Sequence, residues 1–224
     1  MFHRRETKHG FPVSVVGQRA AKCLLQRVLQ VSYENPRIGL WQQWREDLAA
    51  HRGDWTLPGF RAVAVCRFGQ WRMQIRSRWI RAPFSIIYRC LFRRCRNVYG
   101  IELPDCVRLG RRVVLEHQGD IVIHGNARIG DDCVIRQGVT LGNRHLDHPN
   151  DAPVLGHRVQ IGAGAKILGK LFVGDDAVIG ANAVVLHDVP VGGTVVGVPA
   201  RLISTHRKRG LQEGTARPLP DDKP

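Results

Sequence analysis

Between residues 155 and 196 an apolar residue returns at every sixth position: Leu155, Ile161, Ile167, Val173, Ile179, Val185 and Val191. Four residues after each comes a second apolar residue, Val159, Ala165, Leu171, Ala177, Ala183, Val189 and Val195. Glycine often stands directly after the first, as at Gly156, Gly162, Gly174, Gly180 and Gly192. A helix repeats about every 3.6 residues and a strand every second, so neither alone explains a period of six with small residues at fixed offsets. A short strand, a tight turn and another short strand do explain it. Three such units close a triangular coil, and stacked coils bury a continuous column of aliphatic side chains. Glycine suits the turns, where a missing Cβ permits unusual backbone angles or close approach between coils.

The same period starts earlier, at Leu103, and runs through Leu109, Leu115 and Ile121, with Val107 and Val113 as the second apolar positions. After a two-residue shift it continues through Ile123, Ile129, Ile135 and Leu141, with Ala127, Cys133 and Val139 in between. Residues 142–154 break it with a polar, irregular stretch. Resumption at Leu155 marks them as a protruding loop, and repeat arrays often carry such insertions on the binding face.

Upstream the pattern is helical. Leu40, Trp41, Trp44, Leu48 and Ala49 fall near one face of a first helix, and Phe60, Val63, Val65, Phe68 and Trp71 keep helical spacing after a turn at Pro58 and Gly59. Pro83 predicts an interruption, followed by one more helix that ends before Gly100. Residues 1–35 predict only a partly helical or disordered lead, and residues 204–224 a disordered tail. The expected organisation is a basic α-helical region over 1–100 followed by a repeat domain over 101–203.

Composition narrows the class. The chain has 224 residues, 43% of them hydrophobic, and no window of 18 or more uncharged apolar residues, so no membrane-spanning helix is expected. The N-terminus has no apolar core of signal-peptide type, which favours a cytoplasmic location. Six scattered cysteines (Cys23, Cys66, Cys90, Cys95, Cys106 and Cys133) show no zinc-finger spacing and read as reduced, mostly buried thiols. The net charge of +15, from 34 Lys plus Arg against 19 Asp plus Glu, is concentrated in the helical region. Arg61, Arg67, Arg72, Arg76, Arg78, Arg81, Arg89, Arg93, Arg94 and Arg96 all lie there. Those arginines admit solvated faces, or a basic surface that touches anionic lipid or a membrane-bound polysaccharide-assembly partner. Nucleic acid has only charge in its favour, because no recognition-helix or RNP-type motif is present.

From Glu102 to Ile203 the chain closely resembles serine acetyltransferases and their relatives among the hexapeptide-repeat acyltransferases, in LEHQGDIVIHGNARIGDDCVIRQGVTLG, IGAGAKILG, IGANAVVL and GVPARLI. The helical segments WTLPGFRAVAVCRFGQWR and RNVYGIELP resemble a shorter branch found among exopolysaccharide-biosynthesis acetyltransferases. The resemblance implies a left-handed parallel β-helix, a homotrimer, acetyl-CoA as donor and a hydroxyl as acceptor.

Acetyl transfer to an alcohol needs a base for the hydroxyl proton, a donor for the oxyanion and a groove for the pantetheine arm. Histidine is the natural base near neutral pH. His117 matches the family's catalytic histidine and, two residues after Leu115, falls at a coil corner. Glu102, fifteen positions upstream, stands where the family has the aspartate that orients that histidine, and Glu116 matches an acidic position that contacts the acceptor. By family position the oxyanion donors are backbone N–H groups at Gly142 and Asn143. Ala163 and Ala181 occupy positions that line the coenzyme groove between subunits, and small residues there also suit tight turns. Lys166 and Arg201 are candidates for the coenzyme phosphates.

The loop is where the chain departs from the family. An Asp-Arg-His-Pro run that contacts serine is here Asn150, Asp151, Ala152 and Pro153, so a carboxylate replaces the carboxylate-binding arginine. Arg144 and His145 are possible substitutes. Acceptor expectations therefore divide between serine and a sugar of an exopolysaccharide precursor. A non-catalytic repeat scaffold is the rival reading, and a γ-class carbonic anhydrase lacks its histidine set. No metal is expected; His145, Asp147 and His148 alone make a poor ligand set.

Overall fold

The computed structural model describes residues 38–205. The expectations for residues 1–35, for Cys23 and for the tail after Thr205 lie outside the described residues. Three helices lead into a stack of short strands. They are α1 (Leu40–Ala50), α2 (Pro58–Met73) and α3 (Arg78–Tyr99). Gly100, at φ 65°, ends α3 in the left-handed conformation that a Cβ disfavours, and the chain turns there into the first coil.

The strands form three parallel faces. The first face holds β1 (Ile101–Glu102), β4 (Ile121–Ile123), β7 (Thr140–Gly142), β10 (Lys166–Leu168) and β13 (Val184–Val185). The second holds β2 (Arg108–Leu109), β5 (Arg128–Ile129), β8 (Val154–Leu155) and β11 (Phe172–Val173). The third holds β3 (Val114–Glu116), β6 (Val134–Arg136), β9 (Gln160–Ile161), β12 (Val178–Ile179) and β14 (Gly193–Val196), with β15 (Arg201–Thr205) added antiparallel at its end. Successive strands visit the faces in rotation, in the left-handed parallel β-helix that the family resemblance implies. Apart from Val191, the apolar positions of the repeat point inward and are buried from Leu103 to Val195, so hydrophobic burial along one column drives the stacking.

Register gives the length of each coil. It is 20 residues from Arg108 to Arg128, 26 from Arg128 to Val154 and 18 from Val154 to Phe172. The eight extra residues of the long coil form the loop between β7 and β8. The two extra residues of the first coil lie in the corner between β3 and β4: Leu115 and Ile123 are eight apart where Ile135 and Leu141 are six. That corner carries His117.

The sequence-based expectation fails at four places. Val191 is 65% exposed, not buried, because the last coil is short, 16 residues from Val178 to Thr194, and Val195 takes the inward position. Pro83 does not interrupt a helix, for α3 runs through it. The bond it forfeits would use the carbonyl of Trp79, a residue 79% exposed near the helix start, where water can replace the lost donor. Strand β15 runs to Thr205, two residues past the expected end of the repeat domain at 203. On the helices, Trp41 and Ala49 are exposed while Asp47 and His51 are buried, and α2 turns Ala62, Val63, Cys66 and Arg67 inward.

Those buried polar residues fasten the helices to the first coil. Arg67 Nε meets Asp47 Oδ2 at 3.0 Å, Nη1 donates to the Leu109 carbonyl at 2.8 Å, and Nη2 reaches the Gly110 carbonyl. His51 accepts the Leu115 N–H at Nε2, 3.3 Å, so its Nδ1 carries the proton and donates to the Asp47 carbonyl at 2.7 Å. Burial holds the His51 pKa below its ordinary value, which keeps the ring in this neutral form. A Cβ on Gly59 would strike the Leu115 carbonyl, so α2 lies directly on the strand that leads to His117.

Candidate active site

The corner between the third and first faces repeats on every coil. Its column, two residues after an inward aliphatic, reads His117, Gln137, Ala163, Ala181 and Gly197. Coil-to-coil hydrogen bonds hold the column at close spacing. Gly119 N–H donates to the Tyr99 carbonyl, Gly138 to Gly119, Gly164 to Gln137 and Asn182 to Ala163, all at 2.8–2.9 Å. At Gly164, φ is +73° and a Cβ would collide with Asn182 Oδ1, so the stacking itself demands glycine there.

His117 is exposed at the first coil of this column, in left-handed backbone at φ 66°. A non-glycine residue there carries a steric cost of roughly 1–2 kcal/mol. Among the described residues its imidazole makes no hydrogen bond. Glu102 begins the outward column of the first face in β1, followed by Val122, Thr140, Lys166 and Val184. No ion pair joins Glu102 to His117 among the described residues. Glu116 is differently placed: in register with Arg136 on β6, it receives the Arg136 Nε at 2.9 Å. The hydrogen bond and charge of Arg136 hold its carboxyl below the usual range.

Gly142 and Asn143 lie at the other end of the first face, where β7 leaves for the loop. Gly142 does not need to be glycine for the chain's own sake. A Cβ there would sit 3.5 Å from Thr140 Cγ2 and 3.7 Å from Leu168 Cδ2, in ordinary contact. Asn143 Nδ2 donates to the His145 carbonyl at 3.0 Å, while its backbone N–H bonds to no other described residue. Arg144 and His145 are exposed in the loop. Ala152 is buried in the apolar core, and Asp151 donates its N–H to the His148 carbonyl at 3.1 Å. Among the described residues no cluster of His, Cys, Asp or Glu is arranged to hold a metal ion.

The coenzyme candidates divide. Ala163 is half-buried and Ala181 exposed, both in the His117 column. Lys166 is already engaged: its Nζ donates to the Gly138 carbonyl at 2.6 Å and to Thr140 Oγ1 at 3.1 Å, tying the corner to the first face. Arg201 is exposed on β15. Gln137 was not singled out by the sequence reading. Its Oε1 is buried without a hydrogen-bond partner, a costly state for a carbonyl oxygen. Its offset from Ile135, equal to that of His117 from Leu115, is the signal that would have found it.

A β-helix of hexapeptide repeats, with an exposed corner histidine at the start of a column of small residues, is the architecture of the hexapeptide-repeat acyltransferases. No protein-family model matches the chain. The serine acetyltransferase of Helicobacter pylori strain J99 is 39% identical over 184 residues, covering 80% of this chain and 100% of its own length. Among solved structures, the serine acetyltransferase of Brucella abortus in complex with coenzyme A is similar with TM-score 0.65 and 30% identity, over 83% of this chain and 75% of that one. The soybean enzyme complexed with serine gives 0.61 and 31%, over 73% and 69%. The chain belongs to the serine acetyltransferase family and is an acyltransferase.

Proposed function

We propose that the chain transfers the acetyl group of acetyl-CoA to the hydroxyl of a small acceptor, with His117 as general base. One observation carries this reading. The corner that bears His117 is two residues longer than the next, and it holds an imidazole with no hydrogen-bond partner in solvent, at the head of a column that continues through Gln137 to Ala163, Ala181 and Gly197. In the reaction the imidazole takes the acceptor's hydroxyl proton as the oxygen attacks the thioester carbonyl. It returns that proton to the coenzyme thiolate when the tetrahedral intermediate collapses. The developing oxyanion needs preorganised donors, and the free N–H of Asn143 beside Gly142 supplies them. Glu102 is the carboxylate available to orient the ring, whereas Glu116 is committed to Arg136.

His117 and Asn143 stand at opposite edges of the first face of one chain. A threefold arrangement, in which the histidine edge of one copy faces the loop edge of the next, brings base and oxyanion donors together. The same arrangement places Ala163 and Ala181 in the groove between copies, where small side chains leave room for the pantetheine arm. This supports a homotrimer.

Serine is the acceptor that family membership supports, with Arg144 and His145 free in the loop to meet it. A sugar hydroxyl is the second reading, favoured by one specific observation: Asp151 brings a negative charge where the family binds a carboxylate, and Ala152 is turned into the core. Thiol release from acetyl-CoA, assayed with serine and with a panel of sugars, separates the two. Turnover with serine is expected. Turnover with a sugar alone would transfer the assignment to the second reading, and turnover with neither would sink both.

A further inference from the structure

Helix α3 is divided lengthwise into three sectors. One is aromatic and faces inward: Phe84 packs edge-on to Phe68 and Trp71, and Tyr88 stacks on Phe92 at 5.8 Å. The second is basic and exposed, with Arg78, Arg89, Arg93 and Arg96. The third is apolar and also exposed: Trp79, Ile80, Ile86, Ile87, Leu91 and Val98. At helical spacing the third sector approaches half of the circumference, interrupted only by Arg94 and Asn97. Soluble surfaces rarely leave so continuous an apolar strip uncovered. It continues into a groove of about 500 Å³ that Ile87 and Leu91 share with Trp44, Trp55 and Phe60, and Trp41 stands edge-to-face on Trp44 at the side. Trp41, Trp55 and Trp79 are all more than 60% exposed.

Charge decides what covers this face. Helix α3 contains no acidic residue. Most acids packed beside α3 among the described residues are engaged elsewhere. Glu46 pairs with Arg111, Asp47 with Arg67 and Asp105 with Arg72, while Asp54 bonds Thr56. A second copy of the described helices would bring the same arginines, with only Asp54 as a carboxylate outside an ion pair to meet them. An anionic lipid surface satisfies both exposed sectors at once. Its phosphates take the arginines, its acyl boundary takes the isoleucines, and indole rings favour the zone between. No described helix is long and apolar enough to cross a membrane, so the contact would be peripheral. We propose that the exposed face of α3 and the adjoining groove dock on an anionic phospholipid surface.

Flotation of the full chain with phosphatidylcholine vesicles, with and without phosphatidylglycerol, tests this. The parent is expected to associate with the anionic vesicles at least about tenfold more than with neutral ones, and less as salt rises. A double variant, Trp79→Ser with Ile86→Ser, keeps the chain's charge and removes only apolar anchors. It should lose roughly tenfold or more of that association. Both sites are exposed and distant in sequence from the His117 corner, so acetyl transfer should persist and serves as the folding control. No association with anionic vesicles overturns the proposal. So does equal association of parent and double variant, because attraction would then come from the overall charge of +15 alone. Sedimentation analysis closes the remaining route: a change of oligomeric state in the double variant would give this face to a second copy.

Discussion

Two edges of the same triangular coil have nearly the same backbone and opposite chemistry. Between the second and third faces, Arg112, Asp132, Arg158, Asp176 and Gly192 stack with φ between 53° and 66°. Each of the last four donates its N–H to the coil before it at 2.8–2.9 Å. Between the third and first faces, Gly138, Gly164 and Asn182 do the same at the same distances, and Gly119 donates to Tyr99 at the end of α3. The first edge is closed by charge, since Arg112 holds Asp132 and Arg158 holds Asp176 in bidentate pairs at 2.6–2.8 Å. The other is bare of such ion pairs: it is a series of glycines, alanines and two amides, Gln137 and Asn182, beside His117. A stack that needed only stability could carry the ladder of ion pairs on both edges. The bare edge leaves room that the charged edge does not, and the elongated corner at its start carries His117; the proposed function gives both a use.

The most severe test of this contrast is His117→Asn. Asparagine tolerates left-handed backbone, so the corner should keep its shape. Turnover should fall about 100- to 10,000-fold, the usual contribution of a positioned general base, with the thermal midpoint unchanged. A loss of activity matched by a loss of stability would make the histidine a structural corner residue like those on the charged edge. Next in size is Ala181→Leu, which adds bulk to the bare edge at an exposed position. The KM for acetyl-CoA should rise roughly tenfold, a steric cost in the range of overpacking, with thermal stability unchanged. An unaltered KM would mean that the small residues serve only the turns.

The column of inward aliphatics was legible because one rule, burial every sixth residue, governs each coil whatever its neighbours do. Even the two-residue lengthening at His117 showed as a phase shift between Ile121 and Ile123. Less legible was everything set by contact between distant segments. Nothing in the local pattern of α1 announces that Asp47 is buried, since its partner Arg67 is twenty residues away. Pro83 reads as a break, and only its place beside solvent at the start of α3 makes it tolerable. Val191 fits the hexads, yet a coil shortened by two residues puts it outside. The candidate site was half visible. His117 and the turn at Gly142 and Asn143 came from motif positions, but their separation to opposite edges of one face is a property of the winding. The orphaned carbonyl of Gln137 required coordinates.

The charged edge should respond weakly, and in a different variable. Asp132→Asn removes one carboxylate from a pair whose side chains are 38% and 41% exposed, so solvent screens much of the attraction. The expected loss is below about 1 kcal/mol in urea unfolding at neutral pH, with turnover unaffected. Its pH dependence has a definite sign. The hydrogen bond from Arg112, and after desolvation its charge, hold the Asp132 carboxyl below the ordinary value. The stabilisation is therefore complete above the ordinary carboxylate range and is lost as pH falls through the lowered value. Parent and variant should differ at neutral pH and converge in acid, and added salt should narrow the difference as well. A gap that persisted in acid would point to packing and not to charge. A fall in turnover would show that this edge, too, reaches the chemistry, and the contrast between the two edges would not stand.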